Sequence, residues 1–465
     1  MQIHSYYISS CRRLLVFLLL CILFKGKEVS SWQSHVSTHP VASSALRKVL
    51  EEASLIDNNP SSFEESNNNY LTFLFVGQSH ADEFEALVKD AHESLDQNNH
   101  NLVAILGGGV IGERVELDQP GQPGLSILTG SLPKGANVEF LKGTEELLLS
   151  SDNDDGSSSS YLLLADPFSK ELESIMSEIS SSLSNAQISG GITCPISAAQ
   201  SSIALNDRIL ETGTVLGVKF TGTVGFQTLV AQGCRPIFDT PFTITQVING
   251  NVISQLDNRP ATKVLHELLT TNKEEAEQIS QNGGLLCGIS SPFREEDYLC
   301  RQVMGFAPEV GGIVIGANDI KEGDNFVFQM RDKDTAEKDM ELMVNRAKTE
   351  RLFAGKENKG KPLAAIQISC VGRGRGLFGG IPNMDITQIL DLIEDTNSDN
   401  PPVAGFYANG EIGPVGLSGF TTGNDSSPSC HLHGFTTVAT ILCDYGSSSQ
   451  NDNIVPDEEG EEAWG

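Results

Sequence analysis

The sequence predicts an α/β (or α+β) fold in which layered β-sheets are flanked by helices. Short apolar runs typical of buried strands alternate with stretches of helical periodicity. The run YLTFLFV at 70–76 precedes a helix-like stretch at 83–95, and the run NLVAIL at 101–106 follows it. The same order returns at 161–191 and at 363–407. With 465 residues, of which 39% are hydrophobic, the chain is long enough for two or three domains.

The segments between these units carry signals for further elements. The pair Asn249-Gly250 lies between two β-like runs at 243–257 and predicts a hairpin with a tight turn. We also expect a helix at 45–53, a strand after residue 124, a hairpin at 214–231, a helix at 261–269, a strand–turn–strand at 310–332 and a charged helix at 334–353.

Two segments far apart in the chain share one design. NLVAILGGGVIGE at 101–113 and PVAGFYANGEIGP at 402–414 each contain an apolar strand, then glycines, then Ile-Gly beside Glu. This likeness predicts two related domains with a weak internal duplication. A boundary near 234–242 would separate them, because GCRP and TPF interrupt the apolar pattern there.

The charge of the chain limits the classes of partner. There are 31 basic and 61 acidic residues, and the formal net charge is −30. Because a field of that sign repels phosphates, we expect no nucleic-acid partner. Part of the acidic excess lies at 446–465, which we expect to be a disordered acidic tail.

The N-terminal residues have the pattern of a targeting signal. Arg12-Arg13 precede eleven apolar residues at 14–24, too few for an ordinary membrane span and typical of a signal-peptide core. We predict a signal peptide at 1–31 and a transit-like or linker segment at 32–44. These segments predict entry into the secretory pathway. Delivery to a plastid through a bipartite presequence, plain secretion and anchoring in a membrane through an uncleaved leader all stay open.

The nine cysteines form no recognisable metal or redox motif. Cys11 and Cys21 lie in the leader, and the others are scattered without a CxxC pair, at 194, 234, 287, 300, 370, 430 and 443. We therefore predict no zinc site, redox dithiol or disulfide scaffold. His431 and His433 alternate along a strand and would share a face, but no third ligand accompanies them. We predict neither a metal nor a cofactor.

The stretch CVGRGRGLFGG at 370–380 contains a literal GxGxxG between a predicted strand and a predicted helix, the context of dinucleotide-binding loops. Two observations oppose that function. The acidic residue expected about 20 residues further on falls at Asp399, before the next strand instead of at its end. The residues at 381–383 also separate the glycines from the helix. The glycines therefore call for another explanation.

An ordered series of motifs resembles the FIST family, whose name abbreviates F-box and intracellular signal transduction. NYLTFLFVGQSH, AILGGGVIGE and GLSILTGSLP are similar to the N-terminal domain of the family. The C-terminal motifs are GCRPI (233–237), PFTITQVINGNVISQLDNRPA (241–261), CVGRGRGLFG (370–379), PVAGFYANGEIGPVG (402–416) and LHGFTTV (432–438). The resemblance implies a FIST N-terminal domain at 45–235 and a FIST C-terminal domain at 236–445.

The resemblance implies a sensory or signal-transduction module that binds a small polar ligand such as an amino acid. An adaptor or substrate-receptor role in ubiquitin-dependent proteolysis is the alternative, because some eukaryotic members carry the domain beside an F-box. The residues before Tyr70 hold a leader and one short helix, and we expect no F-box there. Any signalling output would then pass through a protein partner, and contact with a membrane only through an uncleaved leader.

The expected ligand site begins where the strand at 363–369 ends. Cys370 follows that strand directly, at the carboxyl edge where open α/β sheets place ligands. It is either a ligand-contacting or reactive thiol, with its pKa lowered by nearby arginines, or a buried cysteine at a tight turn. Arg373 would bind a ligand carboxylate in two-point fashion or lie exposed in the loop. Gly374 would allow close backbone approach or form a simple turn.

The remaining site residues follow the next strand or lie near the C-terminus. Asn409 and Glu411 would lie beside Cys370 if the two strands are neighbours. Glu411 would bind a ligand amine or pair with an arginine of the loop, and His433 is a further ligand contact. A thiol-hydrolase triad of Cys370, His433 and Glu411 can be drawn, but no local nucleophile signature supports it. We therefore expect a binding protein with no catalytic residue, and a cysteine-dependent enzyme using Cys370 is the competing hypothesis.

Overall fold

A computed structural model describes residues 32–53, 55, 70–95, 100–152, 159–182, 186–238, 241–281, 284–290, 298–354, 360–394, 401–420 and 430–446. The predicted signal peptide at 1–31 lies outside these residues, as does the predicted acidic tail beyond residue 446. Within the described ranges, no helix has the length and apolar character needed to cross a membrane.

The described residues contain one order of elements three times, and we call these units the first, second and third repeat. The first repeat consists of β1 (Gln33–Ser37), α1 (Ala42–Glu52), β2 (Tyr70–Gly77), α2 (Phe84–Leu95), β3 (His100–Gly107), β4 (Val110–Gly112), β5 (Val115–Leu117) and β6 (Leu125–Ser131). The second consists of β7 (Ala136–Lys142), α3 (Gly143–Asp152), β8 (Ser160–Ala165), α4 (Leu172–Ser182), β9 (Gln187–Ile192), β10 (Ile203–Leu205), β11 (Arg208–Ile209) and β12 (Val215–Gly222).

The third repeat is interrupted by an insertion after its first strand, β13 (Val224–Ala231). The insertion contains β14 (Cys234–Pro236), β15 (Phe242–Ile248), β16 (Val252–Leu256), β17 (Arg259–Pro260), α5 (Ala261–Thr271), α6 (Lys273–Gln281), β18 (Leu286–Ser290), β19 (Leu299–Ala307), β20 (Gly312–Ile315) and β21 (Asn325–Arg331). The repeat resumes with α7 (Lys333–Phe353), β22 (Lys361–Cys370), α8 (Met384–Ile393), β23 (Val403–Ala408), β24 (Gly410–Gly413), β25 (Leu417–Ser418), β26 (His431–His433) and β27 (Thr437–Asp444).

Each repeat builds most of one sheet, and the three sheets follow one plan. A parallel pair lies at the centre: β2–β3 in the first sheet, β8–β9 in the second and β22–β23 in the third. The last long strand of the repeat (β6, β12 or β27) pairs antiparallel with the first member of that pair. The strand that begins the repeat (β1, β7 or β13) then pairs with that last strand.

The short hairpin of each repeat completes the sheet of a neighbouring repeat. β4 pairs with β23 in the third sheet, β10 pairs with β3 in the first, and β24 pairs with β9 in the second. The exchange is cyclic, so each sheet contains strands from two repeats. It also joins residues that are roughly 300 positions apart into one sheet, such as Val110 and Phe406.

The three sheets pack against one another as a prism around a central apolar core. All three contribute to this core, for example through Phe75, Leu164 and Phe406. Helices cover the outer faces, with α1 and α2 on the first sheet, α3 and α4 on the second, and α7 and α8 on the third. Most residues of the central strands are therefore buried between the core and a helix, which explains the long hydrophobic runs in the sequence.

The insertion is a separate antiparallel barrel. In its described residues, six strands close on themselves in the order β21–β15–β16–β20–β19–β18, because β18 pairs back onto β21. Strand β14 extends β21. Apolar residues of the strands and of α5 form the barrel core. The predicted hairpin at 243–257 is present as β15 and β16, with positive φ at both Asn249 and Gly250.

The α/β fold class is confirmed, but three expectations about its organisation need correction. The recurring unit occurs three times rather than in two halves, and strands from both sides of residue 235 share the second and third sheets of the prism. The strands at 214–231 do not pair with each other, because β12 joins the second sheet and β13 the third. The segment 32–44 is not a linker: Trp32 is buried and β1 pairs with β6.

Candidate functional site

The strand exchange closes at one end of the prism in a ring of three backbone hydrogen bonds, which we call the exchange ring. The amide of Gly108 donates to Tyr407 O at 2.8 Å, that of Cys194 to Leu106 O at 2.9 Å and that of Asn409 to Ile192 O at 2.9 Å. These donors occupy equivalent positions of the three repeats. The ring therefore gives a residue-by-residue correspondence between the repeats.

Cys370 and Asn409 lie at this end of the prism, on neighbouring strands as expected. Strands β22 and β23 are parallel, and Cys370 lies opposite Ala408. The Cys370 thiol is buried and accepts a hydrogen bond from the Gly372 amide at 3.4 Å. Burial and the nearby Glu411 raise the pKa of Cys370 to about 12. Arg331 lowers this pKa, but the effect of burial is larger, and neither Arg373 nor Arg375 contributes the lowering that was predicted.

Arg373 neither lies exposed nor binds a ligand carboxylate. Its side chain is fully buried, and its guanidinium binds the Asp385 carboxylate of α8 at two points, with N–O distances of 2.6 and 3.1 Å. The remaining guanidinium hydrogens point to the carbonyl oxygens of Ala231 and Ala336, at 3.4 and 3.5 Å. Arg373 is thus an internal tie between the loop after β22, the last residue of β13, and helices α7 and α8.

The Arg373–Asp385 pair is one end of a buried polar network in the outer layer of the third sheet. Asp385 accepts a hydrogen bond from Thr437 at 2.8 Å, and Thr437 shares a hydroxyl hydrogen bond of 2.6 Å with Ser369. The Gln367 amide donates to Ser369 at 3.0 Å and to Glu116 at 2.8 Å. Glu116 also accepts the Ile386 amide near the start of α8. Burial, and then the charge of Asp385, raise the pKa of Glu116 to about 8.

The residues 371–380, here called the glycine loop, are held against the first repeat by Asp118. The Arg375 amide donates to Asp118 Oδ2 at 2.6 Å, and Arg375 Nε lies 3.6 Å from Asp118 Oδ1. Gly374 has a φ of +72°, and a Cβ at that position would lie 2.4 Å from Asp118 Oδ2 and 2.9 Å from the Tyr407 hydroxyl. Gly374 therefore allows the close backbone approach that was predicted, and the groups that the backbone approaches are the side chains of Asp118 and Tyr407.

A cleft of about 960 Å³ lies over the glycine loop. Three parts of the chain form its walls: the segment after β5, the junction of β21 with α7, and the glycine loop. Its charged lining residues are Asp118, Arg331, Asp332, Lys333, Asp334, Arg373 and Arg375, of which Arg373 has its guanidinium buried against Asp385. Both signs of charge thus face one space, which is large enough for a metabolite.

Two of the basic groups in the cleft differ in how they are held. The Arg331 guanidinium stacks on the Phe435 ring, 4.5 Å from its centroid, and lies 3.5 Å from Gly372 O. Arg375 is two-thirds buried, and its Nε has no hydrogen-bond acceptor among the residues that the structure describes. This Nε lies within ion-pair distance of Asp118 Oδ1, and a ligand acceptor would complete its hydrogen bonding.

The other predicted site residues lie near the exchange ring but outside the cleft. The Asn409 side chain donates to Thr193 O at 3.0 Å. Glu411 is fully buried and accepts hydrogen bonds from the Thr436 amide and hydroxyl at 3.2 and 2.7 Å, so its expected pairing with a loop arginine is wrong. Burial raises the pKa of Glu411 to about 8. His433 is a buried ring bound to Gly413 O at 3.1 Å, and burial lowers its pKa to about 3.

The described residues gather metal-type donors at one surface position, formed by His35, Glu52 and Glu113. His35 Nδ1 lies 3.4 Å from Glu113 Oε1 and 4.0 Å from Glu52 Oε2. Both carboxylates are exposed, and the cluster lies on the first repeat, far along the chain from the glycine loop. Such distances are those of a surface ion pair, so we assign no metal to it.

Comparison with known proteins identifies two family domains in the chain. The model of the FIST N domain matches residues 70–259, and the model of the FIST C domain matches residues 261–414. The chain belongs to the FIST family. FIST domains are associated with signal transduction and ligand sensing. The two matches meet at residue 260 inside the inserted barrel, so the boundary between them does not separate two sheets of the prism.

Relatives of this FIST protein occur in mycobacteria. The uncharacterized protein Rv0628c of Mycobacterium tuberculosis is 29% identical over 381 residues, which cover 80% of this chain and 91% of the relative. The uncharacterized protein Mb0898c of Mycobacterium bovis is 27% identical over 382 residues, which cover 80% of this chain and 90% of the relative. The likeness thus extends through both FIST domains.

Several residues that build the FIST cleft were missed from the sequence. Asp118 lies in a Pro/Gly-rich connection, and Arg331 and Lys333 lie at a strand–helix junction, where charged residues are usual. Asp385 is the second residue of α8, a common position for an acidic side chain. No local pattern distinguishes these four residues. The only available signal is the density of glycines at 372–380, which did locate the cleft floor.

Proposed function

We propose that this FIST protein is a ligand-sensing module whose cleft binds a small zwitterion of the amino-acid class. The observation that carries the proposal is Arg375, a cleft-lining residue whose Nε makes no hydrogen bond among the described residues and lies 3.6 Å from Asp118 Oδ1. A ligand carboxylate would supply that acceptor, with Arg331 beside it. The carboxylates of Asp118 and Asp334 line the same cleft and suit a ligand ammonium group.

The construction of the cleft supports a sensing role. Its walls come from the first repeat at Asp118, from the end of the barrel at Arg331 and from the third repeat at Arg375. A ligand that contacts all three walls would stabilise one position of the barrel on the prism. Differential binding of this kind is what converts occupancy into a conformational signal.

The chemistry of the buried thiols supports binding in preference to catalysis. Nucleophilic cysteines need a thiolate, which depends on a lowered pKa. Burial raises the pKa of Cys370 to about 12 and that of Cys194 to about 12. A cysteine-dependent reaction would therefore need a conformational change that exposes Cys370.

The proposal is tested by calorimetric titration of the purified protein with the common amino acids and with matched dicarboxylates and amines. We expect binding of one amino-acid class, and a gain of about 2.7 kcal/mol in stability at 100 times Kd. Arg375→Ala should weaken that binding by about tenfold to a hundredfold, because it removes a charged hydrogen bond of about 1.5–3 kcal/mol. Arg47→Ala, at an exposed arginine of α1, is the matched control.

Two results would contradict this function. One is the absence of any binding across the amino-acid panel. The other is equal affinity of the Arg375→Ala variant and the Arg47→Ala control, which would place the ligand outside the cleft.

A protein partner is a second candidate for the output of the module. Met304 and Phe306 are alternate residues of β19, 63% and 55% exposed, and therefore present two large apolar side chains on one face of the strand, where a partner could bury them. If this surface binds a partner, Met304→Ser with Phe306→Ser should abolish complex formation and leave ligand binding unchanged. Retained complex formation would exclude the surface.

A further inference from the structure

Two thiols lie in contact at the junction of the barrel with the prism. The Sγ atoms of Cys234 and Cys300 are 3.3 Å apart. Cys234 begins β14, the first strand after the chain leaves the third sheet, and Cys300 lies in β19. Both side chains are buried, at 7% and 3% exposure. The two cysteines are 66 residues apart in the sequence and belong to no CxxC pair, and no disulfide scaffold was predicted from the scattered cysteines.

The surroundings of this thiol pair belong to both parts of the molecule. Cys234 and Cys300 pack with Leu286 of the barrel and against Phe435 of the prism. The Gln232 side chain donates to Tyr298 O at 2.8 Å, so the segments that lead into the two strands are also tied together. Cys234 lies opposite Arg331 in the pairing of β14 with β21, and Arg331 lines the cleft.

We propose that Cys234 and Cys300 are a disulfide-forming pair that locks the barrel end beside the cleft under oxidising conditions. Closing the bond brings the sulfur atoms from 3.3 Å to about 2.05 Å, a movement of little more than about 1 Å. The bond would join β14 to β19, two strands that do not pair with each other in the described barrel. It would therefore add a constraint that the strand hydrogen bonds do not supply.

The oxidant in this proposal is a small-molecule disulfide such as oxidised glutathione. The thiolate of one cysteine attacks a sulfur of that disulfide and releases one reduced thiol, leaving a mixed disulfide on the protein. The thiolate of the other cysteine then attacks the protein sulfur and releases the second reduced thiol. The two cysteines lose two protons and two electrons, and the oxidant is reduced to two thiols. Because both sulfurs are buried, the exchange takes place during folding or when the barrel end opens.

The test is to refold the full chain from urea in either oxidised or reduced glutathione, alkylate the free thiols and digest the protein. We expect a peptide pair cross-linked through Cys234 and Cys300 in the oxidised sample only, with two fewer alkylated cysteines. The oxidised protein should also unfold at a higher urea concentration than the reduced protein, because the bond closes a long loop. Cys234→Ala should remove both differences.

Controls separate this bond from other effects of oxidation. Cys443→Ala alters a buried cysteine of the third sheet and should leave the cross-link and the redox-dependent shift in place. Cys300→Ala provides a second disabling variant if Cys234→Ala does not fold. The proposal is overturned if the oxidised protein folds without the Cys234–Cys300 peptide. It is equally overturned if Cys287, on the neighbouring strand, replaces either partner in the cross-link.

Discussion

The outer layers of the first and third sheets share one register but are filled with different chemistry. In the first sheet Leu74, Val76 and Leu125 pack beneath α1 and α2. The equivalent positions of the third sheet, aligned through the exchange ring, are Gln367, Ser369 and Thr437. Three positions that hold aliphatic side chains in the first sheet thus hold hydrogen-bonded polar side chains in the third sheet.

The second sheet shows which of these two layers is the exception. Its equivalent residues are Leu163, Ala165 and Val215, which are apolar as in the first sheet. The layer therefore does not need polar residues in order to form. Buried polar groups cost free energy unless they are hydrogen-bonded. We therefore infer that the polar network of the third sheet has a positioning role that the other two sheets lack. The network holds Arg373, at the base of the glycine loop and its cleft.

The largest test of this difference is removal of one partner of the buried ion pair. Asp385→Ala leaves the Arg373 guanidinium buried without its carboxylate, and we expect a loss of about 3–5 kcal/mol in the free energy of unfolding. Urea denaturation measures it. Asp391→Asn is the control on the same helix, because the Lys348–Asp391 pair is exposed and should contribute less than about 1 kcal/mol. Similar losses in the two variants would contradict a special role for the network.

A second test concerns the glycine loop that the network holds. Gly374→Ala would force a residue with a Cβ to a φ of +72° and into contact with Asp118, and we expect it to cost about 2–3 kcal/mol. Gly376→Ala, where a Cβ meets no atom within 4 Å, should be almost neutral. Thermal unfolding of both variants checks this expectation. Equal stability of the two would show that the loop is not packed on Asp118.

A third test replaces a polar residue in the outer layer of the third sheet by the aliphatic residue found at the equivalent position of the first sheet. Gln367→Leu installs the residue of the equivalent position and leaves Glu116 short of a hydrogen bond, so we expect a loss of about 1–2 kcal/mol. Combining it with Glu116→Leu should restore most of that stability, since an aliphatic pair replaces a polar one. A double-mutant cycle in urea measures the coupling. Additive losses would mean that the two side chains do not act as a unit.

The smallest expected effect is a dependence of stability on pH from buried carboxyl groups. Glu411 occupies the position of Val110 in the first repeat and Ile203 in the second, both in the central core. Its pKa rises from an ordinary 4.5 to about 8, so between these values the folded chain binds more protons than the unfolded chain. Stability therefore falls as pH rises through this window.

The measurement is a urea midpoint at pH 6.5 and at pH 8. The lowered pKa values of His433 and His100 oppose the trend near pH 6.5, and they do so equally in the wild type and in a variant of Glu411. Glu116, with its pKa raised to about 8, contributes in the same direction. Glu411→Gln should reduce the decline by about 1 kcal/mol. If the wild type and this variant lose stability equally, Glu411 ionises as freely in the fold as in the unfolded chain.

Much of the local structure was predictable because it depends on short-range patterns. The parallel pair β22–β23 and the helix between its strands follow from apolar runs, helical periodicity and the glycines around Cys370. The hairpin turn at Asn249-Gly250 follows from the positive φ that both residues tolerate. Of the predicted site residues, Arg373 lines the cleft, whereas Asn409, Glu411 and His433 lie outside it. The sequence did not show that the Arg373 guanidinium is buried against Asp385 and that Arg375 also lines the cleft.

The order of strands, helices and glycine turns is determined by the sequence alone, because hydrophobic periodicity and the backbone freedom of glycine act over only a few residues. The pairing of those strands is decided by the tertiary structure. β4 and β23 are roughly 300 residues apart in the chain, and they pair because their apolar side chains are buried together in one sheet. The partner of each charge follows the same rule. The Arg373 guanidinium is buried because the Asp385 carboxylate and the polar residues around it accept its hydrogen bonds, whereas Arg375 lines the cleft.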